Sequence, residues 1–250
     1  MPAANVSFWG MTRVFFRSLL LQAAWNPKGM QNLGFAFALW PAFRELYPDR
    51  AEREAALKRH LDTFNTHPYL ATAILGGVIH HEERIVAGRE PPDAALNFKR
   101  ALMGPLAALG DGFFWLSFRP AVGALAALLA VWTGVWAAVF FAVVYNVVQL
   151  GLRARYLMLG YTLGDGVLGP VGRQHLAERG LELRALGACA AGAFLPALAV
   201  EARHLGVGGA VAWAAGATGL VCVLLLRRRV SVYALVYAAA ALGLLWGWYV

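Results

Sequence analysis

Asn65, Thr66 and His67 stand directly before Pro68, and an almost wholly apolar run follows them. Small polar side chains at a helix break beside membrane-compatible sequence can hold an uncharged polar substrate. Unwound backbone and helix ends supply unpaired donors and acceptors there. The same residues also suit a capping turn. Asn and Thr are good caps, and the residue before a proline is pushed out of the helical region. A ligand-binding turn and a cap are equally compatible with these residue types.

Other polar groups stand out against apolar surroundings. Asp111 lies between Gly110 and Gly112. A carboxylate in such a run is costly and marks a functional site, unless it sits at the interface or pairs with Arg119. Trp25-Asn26-Pro27 and Gln31-Asn32 offer an aromatic face and amides, the groups that hold sugars; interfacial anchoring and turn chemistry explain them as well. His80-His81-Glu82-Glu83 has no zinc spacing, because neighbours on a helix diverge and a zinc helix needs histidines at i and i+4. A solvated face is its default. Walker and Gly-x-Ser-x-Gly motifs are absent, and no residue stands out as a phosphate acceptor. No catalytic residue, metal or cofactor is implied.

The elements that position these residues belong to a membrane protein. Of 250 residues 60% are hydrophobic and 14% charged, and the mean hydropathy is +0.56. A soluble domain carries about 25% charged residues. The net charge of +8 sits mostly at the ends of apolar segments, which sets orientation in a bilayer better than it serves nucleic acid. Cys189 and Cys222 lie in apolar segments and read as small core residues. The first ten residues show neither a basic region nor a cleavage site, so no cleavable signal peptide is expected.

Residues 1–100 hold 12 of the 22 Lys/Arg and 9 of the 14 Asp/Glu. This half reads as helices lying in the interface. Arg13 and Arg17 alternate with aromatics over Thr12–Trp25, and Leu33–Phe43 is too short to span. A helix over 51–64 has Asp49 as N-cap and Glu52 behind it. Leu57, Leu61 and Phe64 form its buried stripe, and Arg53, Glu54, Lys58, Arg59 and Asp62 its solvated face. Residues 101–250 read as membrane helices with no linker before them. Crossings are expected over Leu183–Val200, Leu205–Leu226 and Val230–Val250. Arg227-Arg228-Arg229 is then cytoplasmic, the C-terminus external, and Trp246, Trp248 and Tyr249 an aromatic anchor. The apolar stretch 120–152 is too short for two crossings of about 20 residues each. It suits a re-entrant hairpin with basic ends on the cytoplasmic side. Leu109-Gly110-Asp111-Gly112 recurs as Leu163-Gly164-Asp165-Gly166, each near a Gly-Pro, a pattern that can mark discontinuous helices. The fold class expected is all-α and polytopic: an amphipathic interfacial region over 1–100, then a transmembrane region over 101–250 that includes the hairpin.

Several strings occur in order: R-V-F-F-R-S-L-L-L-Q-A-A-W-N at 13–26, M-Q-N-L-G-F at 30–35, L-Y-P at 46–48, K-R-H-L-D-T-F-N-T-H-P-Y at 58–69, A-I-L-G at 73–76 and L-M-G-P-L-A-A-L-G-D at 102–111. Together with F-W at 114–115 and R-P at 119–120, they resemble the IID component of the mannose/fructose/sorbose family of the bacterial phosphotransferase system. The resemblance implies a permease subunit in the bacterial cytoplasmic membrane. With a IIC membrane subunit it would form the channel for a hexose-type sugar, which IIB and IIA phosphocarriers phosphorylate from the cytoplasmic side. IID would itself carry no phosphorylated histidine. The resemblance puts Trp25, Asn26, Gln31, Asn65, Thr66, His67 and Asp111 at substrate-path or IIC-facing positions. Two departures are visible: Gly110-Asp111-Gly112 stands where the family often has Gly-Asp-Pro, and the stretch after Val200 is short. The alternative is a non-transporting scaffold or regulatory remnant of such a system.

Overall fold

Ser7 starts the first helix: its hydroxyl accepts from Gly10 N at 3.0 Å, and α1 runs Phe8–Ser18. The computed structural model describes residues 5–204 and 208–231, with positions 233–235, 237–238, 240–241 and 244 beyond. After α1 come α2 (Asn32–Leu46), α3 (Arg50–Arg59), α4 (Ala71–Val86) and α5 (Asp93–Gly110). A wide π-helical stretch, Asp111–Phe118, continues α5 into α6 (Arg119–Thr133). Then follow α7 (Trp136–Leu163), a 3-10 turn (Gly164–Val167), α8 (Leu168–Gly172), α9 (Leu176–His204) and α10 (Gly208–Arg227). Among the described residues there is no strand, only two isolated bridges in the Asn26–Met30 and Phe64 region.

Two compact units emerge, one of residues 1–123 and 138–187, the other of 124–137 and 188–250. The first is built around α4, whose residues Ala71 to Ile79 are all buried. Two glycines let backbones touch there. A Cβ on Gly76 would lie 2.1 Å from Leu157 O, and one on Gly160 2.0 Å from Ala73 O, so α4 and α7 meet with no side chain between them. Small residues permit this close approach in membrane helices. In the second unit Gly134, with φ +55, turns the chain after α6.

Three helical stretches are long and apolar enough to cross a membrane: Asp93–Thr133, Trp136–Gly172 and Leu176–Glu201. The chain turns at Thr133–Gly134, inside the stretch 120–152, but the helices on either side, Asp93–Thr133 and Trp136–Gly172, run well beyond that stretch and are each of membrane-crossing length, not the short arms of a re-entrant hairpin. The helix expected over 183–200 is α9. That over 205–226 is α10, although 205–207 lie outside the described residues. Most of Val230–Val250, with Trp246, Trp248 and Tyr249, also lies outside them.

Some boundaries differ from the sequence reading. The first helix ends at Ser18, well short of Trp25, and residues 19–24 form turns. Asp49 caps α3 as expected, its carboxylate accepting from Glu52 N at 2.9 Å. But α3 ends at Arg59, five residues short of the expected end at 64. Phe64 is drawn into backbone pairing instead: Gln31 N donates to Phe64 O at 2.8 Å and Phe64 N to Gly29 O at 3.2 Å. The expected stripe is therefore lost, with Phe64 fully buried and Leu61 41% exposed. On the opposite face Arg53 and Arg59 are half-buried, Arg53 over the Trp40 ring. Cys189 is exposed rather than in the core, and both cysteines are free. The two Gly-Asp-Gly copies are not equivalent: the first lies in continuous helix, the second where Gly164, at φ +50, ends α7.

Candidate functional site

The loop before α2 and the strand-like segment before α4 are clasped by one side chain. Gln31 is buried at 2% exposure. Its Nε2 donates to Thr66 O at 2.8 Å, and its Oε1 accepts from Thr66 N at 3.1 Å. The loop itself is closed by Asn26. Its Oδ1 accepts from Gly29 N at 2.8 Å, its backbone exchanges bonds with Met30, and its Nδ2 donates to Asn32 Oδ1 at 3.1 Å. Met30 adopts φ +58 to make this possible. Asn26 is thus turn chemistry, and Gln31 fixes where Thr66 and His67 emerge.

His67 enters an aromatic box. It stacks on Phe114 with centroids 5.0 Å apart and planes 12° off parallel, and meets Tyr69 edge-on at 4.9 Å. Trp115 lies 5.0 Å away. The π-helical stretch supplies Phe114 and Trp115; such widened turns are frequent at functional sites. Gly110 is small because His67 fills the space its Cβ would take, at 2.3 Å. Burial first, then the nearby Arg153 guanidinium, push the His67 imidazole down to about 3. It is therefore neutral at neutral pH. Tyr69 N donates to its Nδ1 at 3.3 Å, which leaves the proton on Nε2. That Nε2 is buried and has no protein partner.

A polar row on α7 continues the site. Tyr145, Gln149 and Arg153 recur at i, i+4 and i+8 and share a face. Tyr145 and Tyr69 join hydroxyl to hydroxyl at 3.0 Å. Arg153 is buried, lies 4.6 Å over the Tyr69 ring, and donates to Ser18 O at 3.1 Å. Gln149 Nε2 donates to Asn146 Oδ1 at 3.0 Å. Thr66 Oγ1, Gln149 Oε1 and Arg153 Nε are also buried without a protein partner. Buried polar atoms are ordinarily satisfied, so four such atoms among this set mark unmet polar demand in an apolar chain.

Not every expected residue joins it. Gln31, Thr66 and His67 come together, with Asn26 supporting them. Trp25 is 53% exposed. Asn65 and Asp111 are also exposed, and among the described residues no ion pair joins Asp111 to Arg119, which instead lies over Trp115 at 5.6 Å. Tyr69, Trp115, Tyr145, Gln149 and Arg153 were not singled out from sequence. The i, i+4, i+8 spacing on α7 was the available signal.

The His80–Glu83 string is not a solvated face. Glu82 is fully buried, accepting from Tyr47 OH at 2.5 Å and Arg59 at 2.8 Å, and lying 2.8 Å from His60 Nε2. Glu83 receives Val6 N and Tyr161 OH, and His80 Nδ1 lies 2.9 Å from Tyr161 O. His81 pairs with Glu90 at 2.7 Å, and Arg84 bonds the same carboxylate. Burial raises Glu90, but these two bonds outweigh it and hold it below the usual carboxylate range. Burial depresses His60 despite Glu82, and raises Tyr47 with help from Glu82. Adjacent residues on one helix thus find partners on different sides, with Tyr161 serving both His80 and Glu83, because α4 is packed on several sides. Lys99 is buried too, its Nζ donating to His60 O at 3.3 Å over the rings of Phe35 and Phe64. Among the described residues no three His, Cys, Asp or Glu gather as a metal set.

The family described as the PTS system mannose/fructose/sorbose family IID component matches residues 8–203. The mannose-specific EIID component of Escherichia coli K12 is 41% identical over 161 residues, which cover 64% of this chain and 57% of that protein. The fructose permease IID component of Bacillus subtilis 168 is 33% identical over 183 residues, 73% of this chain and 65% of that one. The matched part thus spans under two thirds of either relative. Among solved structures, a chain of the mannose transporter ManYZ in complex with microcin E492 aligns at TM-score 0.63 with 29% identity over 96% of each chain. A chain described only as a membrane protein aligns at TM-score 0.72, also at 29% identity over 96% of each.

Proposed function

The chain belongs to the mannose/fructose/sorbose family of phosphotransferase-system IID components, and from that premise we propose that it serves as a permease subunit for a hexose-type sugar. It works beside a IIC subunit in the bacterial cytoplasmic membrane, with its C-terminus external. IIB and IIA supply the phosphoryl group, and this chain carries no catalytic step itself.

The observation that carries the reading is the cluster of unpartnered polar atoms and aromatic rings around His67. A sugar is uncharged, dense in hydroxyls, and has apolar faces. It asks for neutral donors and acceptors beside aromatic rings. His67 Nε2, Thr66 Oγ1 and Gln149 Oε1 are buried without protein partners, and Phe114, Trp115 and Tyr69 surround the imidazole. A neutral His67 suits that ligand better than a phosphoryl acceptor. Exposed Trp25, Asn65 and Asp111 are then the IIC-facing group, and buried Gln31 holds the segment that carries both sets.

The test is phosphoenolpyruvate-dependent sugar uptake by cells co-expressing the chain with IIC and the phosphocarriers. Asn65→Ala should lower uptake or complex assembly. Unchanged uptake and assembly would remove Asn65 from the path. Wild-type chain that fails to associate with IIC would overturn the permease reading.

A further inference from the structure

Arg155, Arg173 and Arg179 line one open pocket of about 560 Å³, together with Gln174 and an apolar wall that includes Val147 and Val148. All three arginines are exposed, and none makes an ion pair among the described residues. The neighbouring acid Glu178 is already engaged, its Oε2 3.0 Å from His175 Nδ1. Gln174 Oε1 accepts from Tyr156 OH at 2.6 Å, while Gln174 Nε2 is buried without a partner. The pocket thus combines three unneutralised guanidiniums, one unused amide donor and an apolar wall.

We propose that this pocket holds the phosphate group of an anionic phospholipid, with its acyl chain laid along Val147 and Val148. Guanidinium is the side chain suited to phosphate oxygens, through its planar fork of donors. The layout matches a lipid: Val147 precedes Arg155 by eight residues of α7, about 12 Å along the axis. Val147 is 66% exposed on a stretch apolar enough to span. Basic residues at the base of membrane helices face the cytoplasmic leaflet, where anionic headgroups are read by such pockets. A soluble phosphate ester shares the headgroup chemistry but has no use for the apolar wall. The inference does not rest on the sugar path, and either can fail alone.

The test uses the purified full chain and native mass spectrometry of added phosphatidylglycerol, phosphatidylcholine and inorganic phosphate. The variants are Arg155→Gln/Arg173→Gln/Arg179→Gln and a control with the same charge change on α1 and α2, Arg13→Gln/Arg17→Gln/Arg44→Gln. Phosphatidylglycerol should bind the wild type in preference to phosphatidylcholine and resist excess inorganic phosphate. The pocket variant should lose roughly a hundredfold in apparent affinity while the control keeps most of it. Equal losses in the two variants would reduce the effect to net charge and overturn the site. Equal binding of phosphatidylcholine would also overturn it, and displacement by inorganic phosphate would reassign it to soluble esters. Should the triple variant fail to fold, Arg155→Gln and Arg173→Gln alone decide by the same comparison, each losing affinity if the site is real and neither if it is not.

Discussion

Two buried polar regions lie in the same unit and are built on opposite terms. Around Glu82, Tyr47, Arg59 and His60 all converge on one carboxylate. Around His67, polar groups are equally buried, yet His67 Nε2, Thr66 Oγ1, Gln149 Oε1 and Arg153 Nε are left without protein partners. Burying a charge is costly unless it is paired, and leaving a polar atom unpaired costs a further amount. The first region is closed around its carboxylate, which takes three partners and ties α2, α3 and α4 together, although Arg59 Nε and His60 Nδ1 stay unpaired. The second is open: its four unpaired atoms share no such focus, and we propose that something that docks meets them.

The largest effect should come from breaking the closed cluster. Glu82→Ala leaves Arg59 without its buried counter-charge and should cost about 3–5 kcal/mol, seen as a steep fall in thermal midpoint or loss of folded protein. A wild-type-like midpoint would show that the cluster braces nothing. The open cluster should behave otherwise. His67→Phe keeps the ring stack on Phe114 and removes the unpartnered Nε2 together with the long Tyr69 N–Nδ1 bond, so stability should move by only about 1 kcal/mol. Sugar uptake should fall about tenfold or more, as a lost buried hydrogen bond predicts. Loss of folding with no separate loss of uptake per folded molecule would erase the contrast.

Acid sharpens the same comparison. His67 titrates at about 3 in the folded chain against an ordinary 6.5, so the unfolded chain takes the proton first. Stability from neutral His67 is whole above 6.5 and drains as the pH falls towards 3. Thermal midpoints of wild type and His67→Phe should therefore diverge progressively below pH about 6.5, wild type falling faster. Parallel curves would place His67 in a far more solvated setting. The smallest effect sets the scale. Asp49, an exposed cap whose carboxyl is lowered chiefly by the Glu52 N–H, should lower the thermal midpoint only slightly on Asp49→Ala, measured by the same thermal melts.

The legible parts of the sequence were those decided locally. Asp49 announces its helix because capping needs only the next three residues. A long apolar run announces α9 because length alone lets it span, whereas α7 is hidden because its C-terminal part lies beyond the apolar stretch 120–152. The illegible parts were decided by distant partners. Pro68 gave a good local reason for the helix to continue to its edge, but Phe64 pairs with the Gly29–Gln31 backbone and ends it early. His80 to Glu83 look like a solvated face because most of their partners, Val6, Tyr47, Arg59, His60 and Tyr161, come from elements far away in the chain. Gln31 and Thr66 were both marked, yet their mutual clasp, 35 residues apart, had no local trace. Arg153 was taken as the basic end of an apolar stretch, when its spacing from Tyr145 and Gln149 already put three polar groups on one side.

Gly76 and Gly160 bring two helix backbones together with no side chain between them. Side chains elsewhere absorb small displacements by changing rotamer; here there is nothing to rotate. A push on α4, six residues downstream of Leu70 and the His67 box, therefore reaches α7 undamped at the turn that follows Arg153 and Tyr156. The α4 and α7 sides of the His67 cluster share a rigid joint, so they keep their spacing.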